Sequence, residues 1–143
     1  MAQVDVVLVS WNDRENVAIA LDSVFGLSEV REEPGLAEVV ISDNGSADGT
    51  VEMLHQRYAD RVRIIENRTN LGFGAGVNRA ILQTTSPYIF LLNPDATVND
   101  GCLTGLVAFM KRHPQCAIAG PKIFGADGRI AESCGEFDTW AGA

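Results

Sequence analysis

The 143-residue chain is 46% hydrophobic and 21% charged, with a formal charge of −8. This is the composition of a soluble globular protein, and a single domain of this length buries about 68–70% of its unfolded surface. The acidity excludes a general affinity for nucleic acid or anionic lipid, because both need clustered Lys and Arg. An anionic ligand would therefore need its positive potential from a metal ion or from local backbone N–H groups.

Val4 to Val9 is a nearly continuous apolar run, interrupted by Asp5, and suits a strand covered on both faces. Helical spacing follows at Val17, Leu21, Val24 and Phe25, with Asn12 or Asp13 as the candidate N-cap. Ser28 to Gly35 is acidic, contains Pro34, and predicts an exposed loop. Leu36 to Ser42 predicts a second strand, and Val51, Leu54 and Tyr58 the inner face of the next helix. Val62 to Glu66 is a third, shorter strand. The glycine-rich stretch after it leads into a helix with Val77, Ala80 and Ile81 facing inward. Pro87 to Leu92 is the fourth strand, and Leu103, Leu106, Val107 and Met110 mark a further helix. Cys116 to Gly120 has the chemistry of a fifth strand. Lys122–Phe124 and Arg129–Ala131, joined through Gly125-Ala126-Asp127-Gly128, predict a hairpin.

Alternating strands and helices predict an α/β fold: a three-layer sandwich with a mostly parallel sheet and right-handed crossovers. Residues 1–143 read as one domain. The segment from Glu132 to Ala143 has no closing strand or helix, so the chain reads as cut short. Cys102, Cys116 and Cys134 are odd in number and lack metal-ligand spacing. They point to reduced thiols and a cytoplasmic location. No signal peptide or membrane span is legible.

In an open parallel sheet, ligands bind beyond the carboxyl ends of the strands. Three predicted strands end there in polar turns. Asn93-Pro94-Asp95 presents a hard carboxylate suited to a divalent cation, although Asn, Pro and Asp also form turns for their own sake. Asp43 ends the second strand; as an acceptor it suits an imide N–H or a ribose hydroxyl, or else an Asx turn with Asn44 and Gly45. Asp48 and Thr50 suit helix capping. The glycines at 72, 74 and 76 permit positive φ and close approach, either to a ligand or of a helix to the sheet. Their spacing is not the dinucleotide fingerprint, and no Gly-Lys-Ser/Thr follows as in a phosphate loop. Trp11, after the first strand, is either a wall for a nucleobase or a large core residue. His55 and His113 have no partners at ligand spacing and read as exposed helix residues.

Taken together, Val9-Ser10-Trp11-Asn12, Asp43 to Thr50, Asn70 to Asn78 and Leu92-Asn93-Pro94-Asp95 resemble family 2 glycosyltransferases of the Rossmann-like GT-A fold, in their rhamnosyltransferase-like branch. The resemblance runs from about Val4 to about Ser133. It implies a nucleotide-diphosphosugar donor (dTDP-rhamnose or a UDP-sugar), Mg²⁺ or Mn²⁺, and inverting transfer to a glycan or lipid-linked acceptor hydroxyl. It also implies a role in polysaccharide or cell-envelope glycan synthesis, compatible with peripheral attachment at the inner membrane face.

By position, Ser10, Trp11 and Asp43 would frame the base and ribose. Asn70, Gly72, Gly76, Asn78 and Asn93 would line the nucleotide or its phosphates, and Asp95 would reach the metal. Asn93 stands where the family's Asp-x-Asp signature has its first acid, and Trp11 where a Tyr is more usual. The family's general base lies beyond residue 143, so no base is named, and this portion alone is expected to be inactive. The missing acceptor half would leave apolar surface exposed and favour self-association. The rival readings are a non-catalytic sugar-nucleotide-binding module and a receiver-like domain phosphorylated on Asp43. The second lacks its acidic pair after the first strand.

Overall fold

The computed structural model describes residues 2–131. Its elements run β1 (Val4–Ser10), α1 (Arg14–Gly26), α2 (Ser28–Glu32), β2 (Ala37–Asp43), α3 (Thr50–Tyr58), β3 (Val62–Glu66), α4 (Phe73–Ile81), β4 (Tyr88–Leu91) and α5 (Cys102–Arg112). The strands form one parallel sheet in the order β3-β2-β1-β4. Every residue of β1 is buried, because the strand lies between β2 and β4 and under helices on both faces. This explains a run with no polar alternation.

The larger core lies on one face. Val4, Val6 and Leu8 of β1 and Val39 and Ile41 of β2 meet α1, α3 and α5 through Leu21, Leu54 and Leu103. On the other face Val7, Val40 and Ala80 form a small cluster beneath α4. Alternate residues of one strand thus serve opposite layers, as the pleat requires. Asp5 also points into the fold: its Oδ2 accepts the Thr85 and Ser86 N–H groups, each at 2.8 Å, and holds the loop before β4.

Three expectations change. Ser28–Glu32 is a short helix rather than an open loop. Its Glu29 carboxylate accepts the N–H groups of Gly101, Leu103 and Thr104, capping α5 from a distance in sequence. Cys116 to Gly120 forms no ladder, and Ile118 is 89% exposed. With Pro114 before it and Pro121 after it, this stretch runs past β4 without pairing, and a groove of about 590 Å³ opens between them. The predicted hairpin shrinks to an isolated bridge, Phe124–Ile130, with both residues exposed. Residues 132–143, including Cys134 and the carboxylates Glu132, Glu136 and Asp138, lie outside the described residues.

Candidate functional site

β1 runs to α1 and β2 on one side, whereas β3 crosses through α4 to β4 on the other. The strand order therefore reverses between β1 and β4, and a crevice opens at the carboxyl ends there. Because the sheet is parallel and Ser10 pairs with Asp43, the turns after β1, β2 and β4 share one rim. Asp43 and Asp95 belong to the same border of the sheet.

The first two turns are sewn together. Asp43 is 1% exposed. Its Oδ2 accepts the Ser10 hydroxyl at 2.8 Å and the Ser46 hydroxyl at 2.6 Å, and its Oδ1 accepts the Ser46 N–H at 2.8 Å. A carboxylate offers about four acceptor positions, so one, on Oδ1, has no protein partner among the described residues. Asp43 is thus chiefly a brace for two serines, and Ser10, itself buried, reaches the rim only through it. Asn12, with φ of 50°, donates its N–H to Ser46 Oγ and accepts the Ala47 N–H on Oδ1. Between these fixed residues Trp11 remains 55% exposed. The core-residue reading of Trp11 fails, because the residue is exposed in the turn after β1.

Asp48 performs the capping expected of it, for two helices. Its Oδ2 accepts the Arg14 N–H at the start of α1, and its Oδ1 accepts the Thr50 N–H and hydroxyl. Desolvation pushes the Asp48 carboxyl upward. The bonds from the Thr50 hydroxyl and from the Arg14 and Thr50 N–H groups outweigh it and hold the group below its ordinary 3.8.

The third turn lies against the second. Gly45, with φ of 75°, passes so close that an added Cβ would sit 3.3 Å from the Asn67 carbonyl oxygen and the Thr69 nitrogen. Gly72 precedes α4 with φ of 80°. Its N–H donates to Asn70 Oδ1, and its carbonyl accepts from Asn44 Nδ2. Gly76 does not line the crevice: it is buried, and a Cβ there would meet Val9 Cγ1 at 2.8 Å. Its smallness serves the packing of α4 on β1. Asn78 is exposed on the second turn of α4, away from the Gly72 turn.

After β4, the Leu92 N–H donates to the Val7 carbonyl and continues the ladder one residue further. The Ala96 N–H then closes a turn on the Asn93 carbonyl. Asn93 and Asp95 are exposed, and neither side chain has a protein partner among the described residues. No cluster of three His, Cys, Asp or Glu residues occurs among them either. An exposed lone carboxylate fits a divalent ion whose remaining ligands are phosphate oxygens and water. It does not fit a protein-enclosed ion.

Sequence reasoning gave Asn44 only a turn role and passed over Asn67 and Arg79; the two buried amides and the exposed Arg79 guanidinium form a network behind Gly72. It also passed over Arg14 and Arg68. Both are exposed at the rim, and neither is ion-paired among the described residues, so they can offset the chain's negative charge there. His55 is exposed as expected and meets Glu66 at 2.9 Å; His113 is exposed and packs on Phe109. Cys102 and Cys116 are free and half-buried, and burial raises the Cys102 thiol.

Comparison with known proteins agrees with this geometry. The family model for glycosyl transferase family 2 matches residues 5–136. An N-acetylglucosaminyl-diphospho-decaprenol L-rhamnosyltransferase of Mycobacterium tuberculosis is 33% identical over 118 residues, which is 75% of this chain and 38% of that protein. Among solved structures, residues 1–349 of S. aureus TarS in complex with UDP superpose with a TM-score of 0.67 at 22% identity, over 80% of this chain and 33% of that one. The mannosyltransferase PcManGT of Pyrobaculum calidifontis, in complex with GDP-Man and Mn²⁺, gives 0.60 at 22% identity, over 73% and 30%. These two support the fold, an α/β sheet of GT-A type. The chain spans well under half the length of each of these proteins. On the family match and on the motifs that meet at one rim, this chain belongs to glycosyl transferase family 2.

Proposed function

We propose that the chain is the nucleotide-sugar-binding portion of an inverting glycosyltransferase of polysaccharide or cell-envelope glycan synthesis. The observation that carries this reading is the shared rim, with Trp11 and Asp43 on one side of the switch point and Asp95 on the other. Trp11 supplies an aromatic wall for the base. The open acceptor position on Asp43 Oδ1 suits the imide N–H of uracil or thymine. The Gly72 turn and Asn70 face the diphosphate, and Arg14 and Arg68 lend it positive potential. Asp95 holds a Mg²⁺ or Mn²⁺ ion from one side, with Asn93 beside it as a neutral neighbour. Such an ion, when bound, neutralises the charge that gathers on a departing diphosphate.

In the complete protein an acceptor hydroxyl attacks the anomeric carbon opposite the bond to the diphosphate, and the configuration inverts. The base that takes the hydroxyl proton is not assigned. The relative's name, a decaprenol-linked rhamnosyltransferase, supports dTDP-rhamnose as donor and a lipid-linked acceptor. The UDP complex of the TarS structure supports a UDP-sugar. No helix among the described residues is long and apolar enough to cross a membrane.

Calorimetry tests the reading. UDP or dTDP should bind in Mg²⁺ or Mn²⁺ and bind less tightly after EDTA. No binding of either nucleotide would refute the function. Binding indifferent to EDTA would remove Asp95 from the metal.

A further inference from the structure

Behind the rim, three polar side chains form a chain with one direction. The Arg79 guanidinium on α4 donates to Asn67 Oδ1. Asn67 Nδ2 donates to Ser42 Oγ at 2.8 Å and to Asn44 Oδ1 at 3.0 Å. Asn44 Nδ2 in turn donates to the Gly72 carbonyl at 3.2 Å and lies 3.4 Å from Asn70 Oδ1. Asn44 and Asn67 are 2% and 4% exposed, so water cannot replace these partners cheaply.

The direction is enforced chemically. Arg79 is only a donor, so it turns the oxygen of Asn67 toward itself and the amide nitrogen toward Asn44. That nitrogen fixes the Asn44 oxygen in turn, which leaves the Asn44 nitrogen facing Gly72. Flipping either amide would set oxygen against oxygen or nitrogen against guanidinium. The backbone ties are separate: the Asn44 N–H goes to the Ser10 carbonyl, and the Asn67 N–H to the Asp43 carbonyl. Gly72 has φ of 80° and ψ of 167°, a region open essentially to glycine alone. Besides the Gly76 N–H of its own helix, Asn44 is the donor that holds its carbonyl.

We propose that the Asn67–Asn44 amide pair, polarised by Arg79, positions the Gly72 turn against the Asp43 turn and so sets affinity for the diphosphate of the nucleotide without touching it. The body of α4 is held independently, by Gly76 against Val9 and by Val77 and Ala80. Loss of the amide pair therefore releases the first turn of the helix and leaves the helix docked. The inference rests on the function proposed above.

The test compares a nucleoside diphosphate with its nucleoside, using UDP and uridine or dTDP and thymidine, whichever diphosphate the wild-type chain binds more tightly. Nuclear magnetic resonance titration reads the weaker ligand. Asn67→Asp keeps the shape but sets oxygen against the Asn44 oxygen. It should weaken diphosphate binding about tenfold, the scale of one lost buried hydrogen bond, with nucleoside binding changed by less than about twofold. Arg79→Gln, exposed and milder, should weaken the diphosphate about threefold and spare the nucleoside. It decides the matter if Asn67→Asp does not fold. A loss shared equally by both ligands, as from general damage, overturns the proposal, and so does no loss at all. If the wild-type chain binds neither diphosphate, the functional reading fails first and this inference falls with it.

Discussion

The two sides of the crevice are built differently. On the β1–β2 side every strand residue near the rim is buried, and the turns are joined by side-chain bonds running both ways between them. On the β4 side the strand alternates between half-buried and exposed, Ile89 and Leu91 are exposed, and Asp95 has no protein partner among the described residues. One side is a finished network of buried side-chain bonds, and the other offers a single exposed carboxylate without a protein partner among the described residues. On the proposed function, binding and stability share the same bonds on the first side only. Substitutions on the first side should therefore damage fold and affinity together, and those on the second side affinity alone.

The strongest break in this contrast is Asp43→Ala. It strands the Ser10 hydroxyl and the Ser46 N–H in a buried corner, at about 1–3 kcal/mol for each unsatisfied group. Denaturant titration should show a loss of about 2–4 kcal/mol, with nucleotide affinity falling about tenfold or more. If both survive unchanged, the brace described here does not exist. Gly76→Ala should cost about 1–3 kcal/mol by forcing a methyl onto Val9. Adding Val9→Ala should make the same substitution cheaper; equal cost in both backgrounds would point to some other clash.

Asp95→Asn marks the opposite side. Its stability should match wild type within about 0.5 kcal/mol, as for a surface change without partners, while nucleotide binding loses its response to Mg²⁺. A marked drop in melting temperature would show that Asp95 has a structural duty after all. The exposed β4 edge and the groove beside it favour self-association, so light scattering at rising concentration should show dimers that Leu91→Lys reduces. A wild-type monomer at every concentration would count against this.

The smallest effect concerns pH. Asp48 has a lowered folded-state value, so it contributes stability above 3.8 that is lost as pH falls through the folded value. Asp48→Asn should thus lower stability at neutral pH and flatten the decline below 3.8. A parallel decline in both proteins would assign acid sensitivity to other groups.

Much of this was legible in the sequence because the pattern repeats. Continuous apolar runs followed by helical spacing marked β1 to β4 and the helices between them except α2, which read as a loop, and parallel order then placed three turns on one rim. The fifth strand was misread because Cys116 to Gly120 has strand chemistry, whereas pairing depends on tertiary neighbours that a local window does not contain. The distinct roles of Gly72 and Gly76 were equally hidden. Both are glycines of one loop and helix start, yet one needs positive φ and the other needs the absence of a Cβ. Asn44 was read only as part of an Asx turn, and Asn67 was passed over, because an Asn after a strand is ordinarily a turn former. Their partnership appears only when β2 and β3 lie side by side.

The central claim is that a nucleotide and its cation sit between Trp11 and Asp95. Paramagnetic broadening by Mn²⁺ with UDP or dTDP tests it most directly. The account predicts that amide resonances of Asn93, Asp95 and Ala96 and of residues 10–12 broaden together, only when nucleotide and Mn²⁺ are both present, and that Asp95→Asn removes the effect. Broadening centred on the exposed His55–Glu66 pair, with the rim untouched, would contradict it.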